Sequence, residues 1–193
     1  MDALTLARAY DRSADGYDAR FWPLQRPKYE AAVELLRERI LALPDDARVL
    51  DAGAGTGLFA EWLREPTSDP ARLKLRQLCE TRRLVALDVS PRMLSYAKRR
   101  SLPCVCGDVA RPPFPLGSFP LVLAFTSLIG DPAPGLRALG ALVQDGGAML
   151  VSLLTKDHPG GDTVATLTGT FALAQQVSAG QDQVTLLSQR GRK

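Results

Sequence analysis

The sequence predicts an α/β protein, a doubly wound three-layer sandwich with a mostly parallel sheet. Short, nearly continuous apolar runs alternate with helical patterns along the chain, which is how strands buried on both faces read. The first of these runs passes into a glycine-rich turn, "VLDAGAGTGLF" at residues 49–59. The length of 193 residues with 46% hydrophobic and 23% charged content suits one domain with a full core.

Each element follows in order. Residues 28–43, "KYEAAVELLRERILAL", repeat apolar side chains near helical spacing and stop at Pro44. Next come the strand "ARVLDAG", the helical "LFAEWLRE", the strand "RLVALD", the helix "SPRMLSYAKRR" and the strand "LPCVCGD". Ser90-Pro91 reads as an N-cap followed by proline in the first turn. Residues 65–70, "EPTSDP", are rich in breakers and read as an insertion or a loop between two helix pieces. The strand "PLVLAFTS", the helix "APGLRALGALVQ", an Asp145-Gly146-Gly147 turn and the strand "AMLVSLLT" follow. A helix over "DTVATLTGTFALAQQVSA" and a final strand "QVTLLSQ" complete the pattern. The expected division is a single domain over 1–193: N-terminal cap helices at 1–43, a ligand-binding core at 47–154, and a C-terminal helix and strand at 155–193.

Composition excludes several classes. No apolar run approaches the ~20 residues that span a bilayer, and "MDALTLARAYDRSADG" lacks the basic start and apolar core of a leader, so a cytoplasmic protein without membrane partners is expected. Three cysteines fit a reducing compartment, and Cys104 and Cys106 sit at no zinc-like spacing, so no metal is expected. A formal charge of +3 is too small to call for nucleic acid. Lys98-Arg99-Arg100 reads as a helix C-terminus, and Arg190 to Lys193 as a solvated tail.

The glycine turn carries the functional signal. In an open α/β sheet, ligands bind at the carboxyl ends of the strands, over the loop after the first one. Gly53, Gly55 and Gly57 allow positive φ and close approach of backbone to a ligand. A dinucleotide fingerprint would need glycine where the chain has Leu58, which argues against a nicotinamide cofactor. Asp88 ends the second strand, where a carboxylate can accept both hydroxyl protons of a ribose. Its distance from the glycines exceeds the usual ~20 residues, and the "EPTSDP" insertion accounts for the excess. Asp108 in "CVCGDVARPPFP" follows the third strand beside Val109.

Together these pieces resemble the class I S-adenosylmethionine-dependent methyltransferases of the small-molecule type, a Rossmann-like fold. The resemblance spans about residues 8–154. It rests on the D-x-G-x-G-x-G of Asp51, Gly53, Gly55 and Gly57, then "ALDVSPRML", "GDVARPPFP" and "LVQDGGAML". It implies S-adenosylmethionine as cofactor and S-adenosylhomocysteine as product. It further implies that the glycine turn after Asp51 wraps the methionine part, Asp88 and Val89 hold the ribose, Met93 packs on the adenine, and Asp108 with Val109 reads its amino group. Phe125, Thr126, Ser127 and Leu128 would lie beside the transferable methyl. Tyr10, Tyr17 and Phe21 of a cap helix would line the pocket of a small-molecule acceptor. Tyr17, Thr126 and His158 are the catalytic candidates, with His158 the only group of the three that titrates near neutral pH. No N-P-P-Y-type sequence follows the fourth strand, which disfavours a base amine as acceptor. The competing readings are an RNA methyltransferase and a non-catalytic protein that binds the same cofactor. The family's C-terminal strands look shortened here: only "VTLLSQ" is clear, so the edge strand is either missing or supplied by a partner in a homodimer.

Overall fold

The computed structural model describes residues 3–156 and 171–189. Seven strands form one sheet in the order β3-β2-β1-β4-β5-β7-β6. They are β1 (Val49–Ala52), β2 (Leu84–Asp88), β3 (Cys104–Cys106), β4 (Phe119–Phe125), β5 (Val143–Leu154), β6 (Phe171–Ala179) and β7 (Asp182–Gln189). The first five run parallel, and β7 lies antiparallel between β5 and β6. The helices are α1 (Ala3–Ser13), α2 (Tyr17–Leu41), α3 (Leu58–Arg64), α4 (Pro70–Glu80), α5 (Pro91–Arg99) and α6 (Ala133–Leu142), with a 3-10 turn at Ala14–Gly16.

Alternation along the strands divides the core into two layers, as a period of two requires. Val49, Leu84, Ala86, Leu121, Leu123 and Leu150 pack toward α2–α5. Leu50, Ala52, Val85, Leu87, Val122, Ala124 and Val151 pack on the other face, with Leu136, Leu139 and Leu142 of α6. The sheet is therefore covered on both faces, as its apolar strands required.

The helix starts follow their caps. Ser90 Oγ accepts the Met93 N–H at 3.0 Å, with Pro91 in the first turn of α5. Asp69 caps α4 through the Ala71 and Arg72 N–H groups, so "EPTSDP" is the loop between two helix pieces. Among the described residues no helix is long and apolar enough to cross a membrane, and no cluster of His, Cys, Asp and Glu could hold a metal.

Four readings change. The helix expected over 28–43 begins earlier, at Tyr17, and runs through Pro23 and Pro27. These two prolines stand four apart, so the second interrupts a hydrogen bond to the first, and Pro23 is exposed. The helix expected to end near residue 179 is the strand β6 over its last nine residues; residues 157–170, with the rest of that expected helix, lie outside the described residues. "FALAQQVSA" follows neither period cleanly, and pairing with β7 decides its state, with a register shift between Leu173 and Gln175. The C-terminal edge strand is thus present in the chain itself. Gly146 and Gly147 do not separate helix from strand: β5 already starts at Val143, and its register against β4 shifts between Phe119 and Leu121. Gly146 takes φ +77°, and a Cβ on Gly147 would lie 2.7 Å from the Pro120 carbonyl oxygen.

Candidate active site

The carboxyl ends of β1, β2, β3 and β4 open on a cleft of about 500 Å³, the solvent at its mouth included. Gly53, Gly55, Asp88, Val89, Met93, Asp108, Val109, Phe125, Thr126 and Ser127 line it from the sheet side. Leu6, Tyr10 and Tyr17 line it from α1 and the start of α2. The strand order sets the polarity of the cleft: the acids Asp88 and Asp108 stand over β2 and β3, and the hydroxyls of Thr126 and Ser127 over β4.

Each wall has a local cause. The turn after β1 climbs through Gly53 at φ +72° and Gly55 at φ +55°, conformations that cost a side chain about 1–2 kcal/mol. Gly53 also touches Ser127, whose Cβ would stand 2.1 Å from a Cβ added to the glycine. Asp88 is buried, and its two oxygens accept the N–H groups of Gly55 and Ser90, each at 2.8 Å. Burial raises its pKa, and these backbone donors pull the other way. The Asp108 carboxylate accepts the Ala110 N–H at 2.8 Å, which fixes the loop after β3. Met93, under the cleft floor, is held by the cap of α5. Phe125 is wedged between Tyr29 and Phe59, with ring centroids 4.9 and 5.1 Å away.

The roof is docked by three carboxylates. Asp11 accepts the Ser90 hydroxyl and the Arg92 N–H. Asp15 binds Arg92 and the Tyr96 hydroxyl. Asp18 accepts from Thr56 Oγ1 and from Arg100, which also reaches the Thr56 carbonyl at 2.6 Å. Phe21 does not line the cleft; its ring packs on Tyr17 with centroids 4.5 Å apart and backs that side chain instead.

Two of the motif residues stand elsewhere. Gly57 faces α5, where a Cβ would meet Leu102 at 3.0 Å and Ala97 at 3.3 Å; it takes φ +83° as the N-cap of α3 and serves packing, not the cleft. Asp51 lies in a small adjoining pocket with Gln25, Tyr29, Tyr17 and Gly53. It is buried, and burial and then the charge of Asp88 push its carboxyl up to about 7. His158 lies outside the described residues.

The buried oxygens Asp51 Oδ2, Gln25 Oε1 and Ser127 Oγ have no hydrogen-bond partner among the described residues. Buried acceptors without donors are rare in folded proteins. Asp51 and Gln25 share one small pocket beside the glycine turn. That donor-hungry pocket fits the ammonium of a methionine-type ligand, and Asp88 over β2 fits a ribose diol.

A methyltransferase domain family model matches residues 49–147, half of the chain. The chain belongs to that family. The methyltransferase domain is 31% identical over 179 residues to a malonyl-[acyl-carrier protein] O-methyltransferase of Halorhodospira halophila, covering 89% of the chain and 54% of the relative. It is 37% identical over 102 residues to a magnesium-protoporphyrin O-methyltransferase of Rhodobacter capsulatus, 48% of the chain and 38% of the relative. The chain spans about half the length of the malonyl-carrier relatives it matches. Among solved structures it is similar to a SAM-dependent methyltransferase of Thermotoga maritima, with TM-score 0.65, 16% identity, and 95% and 99% of the two chains covered. The N-methyltransferase NodS of Bradyrhizobium japonicum, solved with S-adenosylhomocysteine, superposes with TM-score 0.56 at 18% identity over 74% and 78%. The fold is the class I Rossmann-like sandwich, and the family's cofactor is S-adenosylmethionine.

Sequence reasoning missed what stands behind the site. Thr126 carries φ +50°, and its Oγ1 meets Lys28 and Asp182, which are buried and paired. Neither partner belongs to a motif; a lysine at helical spacing from the apolar Ala32 and Leu36 was the one available signal.

Proposed function

We propose that this methyltransferase domain moves a methyl group from S-adenosylmethionine to a carboxylate oxygen of a small acyl acceptor. The observation that carries the reading is the chemistry of the wall over β4. Ser127 brings there a hydroxyl that has no partner among the described residues, Thr126 shapes the turn beside it, and Tyr17 closes it from the cap. Burial raises the Tyr17 and Tyr10 pKa values above the ordinary phenol value, so both rings stay protonated and donate. Such a wall orients an anion but removes no proton. A carboxylate needs no base, since it arrives ionised at neutral pH.

When bound, S-adenosylmethionine supplies an activated methyl on a sulfonium, which leaves as the thioether S-adenosylhomocysteine after in-line displacement. The chain's residues supply position. Asp88 would accept the ribose hydroxyls, Met93 and Val109 would flank the adenine, and Asp51 with Gln25 would accept from the ammonium. Phe125 and the docked cap exclude water, and the hydroxyl wall aims the acceptor oxygen along the axis of attack. The names of the curated relatives, both O-methyltransferases, support the same acceptor atom.

The test is labelled methyl transfer to a malonyl thioester of a small thiol. Label in a base-labile ester supports the reading. Label from a cell extract that enters amines or RNA, with none in the thioester, overturns it.

A further inference from the structure

Behind the hydroxyl wall lies a buried charge pair that the methyl-transfer chemistry does not call for. Lys28 comes from the cap helix α2 and Asp182 from the first residue of β7, and their side chains are 4% and 0% exposed. Lys28 Nζ stands 3.0 Å from Asp182 Oδ1. Both converge on one atom of the cleft: Lys28 Nζ donates to Thr126 Oγ1 at 2.6 Å, and Thr126 Oγ1 donates to Asp182 Oδ2 at 2.6 Å. Ser152 of β5 completes the ring. Its carbonyl and its Oγ accept the Thr126 N–H at 3.1 and 2.9 Å, and its Oγ lies 3.2 Å from Thr126 Oγ1.

The residue so gripped is strained. A β-branched threonine in the left-handed region is an outlier, held only where its surroundings over-determine it. That conformation turns the chain at the end of β4, so that Ser127 meets Gly53 and both residues line the cleft. With its proton given to Asp182 and one lone pair taken by Lys28, the Thr126 hydroxyl is fixed in one rotation. A buried pair costs desolvation that a packed apolar pair would not, so stability alone does not explain it.

We infer that Lys28 and Asp182 are positioning residues: bridged by Thr126 Oγ1, they hold the turn at Thr126–Ser127 in the shape that aims the acceptor at the methyl group. The acceptor half of this statement rests on the carboxylate methyl-transfer reading above.

The decisive variant is the double replacement Lys28→Met with Asp182→Val, which removes both charges and stays close to the original volume. Its thermal midpoint and its affinity for S-adenosylhomocysteine are expected to stay near those of the parent protein. Its kcat on the malonyl thioester is expected to fall on the order of 10²-fold, the effect of misplacing a reacting group by about an ångström. Amide hydrogen exchange at Thr126 and Ser127 is expected to quicken at least about tenfold, and this readout needs no acceptor. Parent-like exchange and parent-like kcat would overturn the inference. If the double variant fails to fold, Thr126→Val replaces it: loss of kcat at constant S-adenosylhomocysteine affinity, recovered for the most part by Thr126→Ser, supports positioning, and equal rates for the two overturn it. If the parent protein methylates no thioester, the acceptor reading falls, and the exchange rates alone decide whether the pair holds the turn.

Discussion

Gly53 and Ser127 meet across the mouth of the sheet so closely that a Cβ on the glycine would lie 2.1 Å from the serine Cβ. The turn after β1 and the turn after β4 therefore fix each other. Gly53→Ala adds both that clash and a side chain at φ +72°. The variant is expected to lose about 1–3 kcal/mol of stability and to bind S-adenosylhomocysteine more weakly. Calorimetric titration beside urea unfolding checks both, and parent-like affinity would mean that the two turns are independent.

Asp88 accepts the Gly55 N–H from the glycine turn while facing the cleft. Asp88→Ala is expected to weaken S-adenosylhomocysteine binding on the order of 10–100-fold, the loss of a charged acceptor shared by ligand and backbone. Asp88→Asn, which retains one acceptor oxygen, should fall between. Equal affinities across the three proteins would remove the ribose role.

Asp51 gives a pH signature. Burial first, then the Asp88 charge, push its carboxyl up to about 7, against about 3.9 in the unfolded chain. The folded state thus holds this proton more tightly, so the contribution is fully present below about pH 4 and is lost as pH rises toward 7. Its size is at most about 4 kcal/mol at 1.36 kcal/mol per unit. Asp51→Asn should flatten that slope, so urea midpoints at pH 5 and pH 8 should differ less in the variant than in the parent. A difference between parent and variant that does not change with pH contradicts this assignment.

The Lys28 and Asp182 charges should be strongly coupled in stability. Lys28→Met alone leaves a buried carboxylate without its cation and is expected to cost about 3–5 kcal/mol, whereas the double replacement regains most of that. Denaturant unfolding of the single variants and the double variant measures the coupling, and additive losses would show that the pair does not act as a unit.

Arg100 joins α5 to the cap through Asp18 and to the glycine turn through the Thr56 carbonyl. Arg100→Met should cost no more than about 1 kcal/mol, since these groups are partly solvated. It should nevertheless raise KM for the methyl donor and expose the Ala14–Gly16 turn to proteases. An unchanged digestion pattern would show that the cap docks without it.

Much of this was legible because the informative features are local. Strands with both faces buried are continuous apolar runs, and the acid at the end of β2 and the glycines after β1 sit at spacings that the chain itself displays. The cleft accordingly gathers Gly53, Gly55, Asp88, Val89, Met93, Asp108, Val109 and Phe125 as the sequence arranged them. Gly57 stands outside that lining, against Leu102 and Ala97, and a glycine placed by helix packing is indistinguishable in sequence from one that faces a ligand. The helical reading before residue 179 failed because small and polar residues leave β6 without a period, and only its pairing with β7 decides it. The pairing of Lys28 with Asp182 was invisible for a stronger reason: they come from opposite ends of the chain, and no spacing rule links them.

The place of β7 has a consequence for the time at which this protein becomes competent. The strand is the last of those described, yet it lies inside the sheet, between β5 and β6, and carries Asp182 to the back of Thr126. A chain growing at about 5–20 residues per second can pair β1, β2 and β4 and shape its glycine turn well before Asp182 has been synthesised. Until β7 inserts, the threonine turn lacks one of its anchors and Lys28 lacks its counter-charge. The site is therefore complete only once β7 stands between β5 and β6.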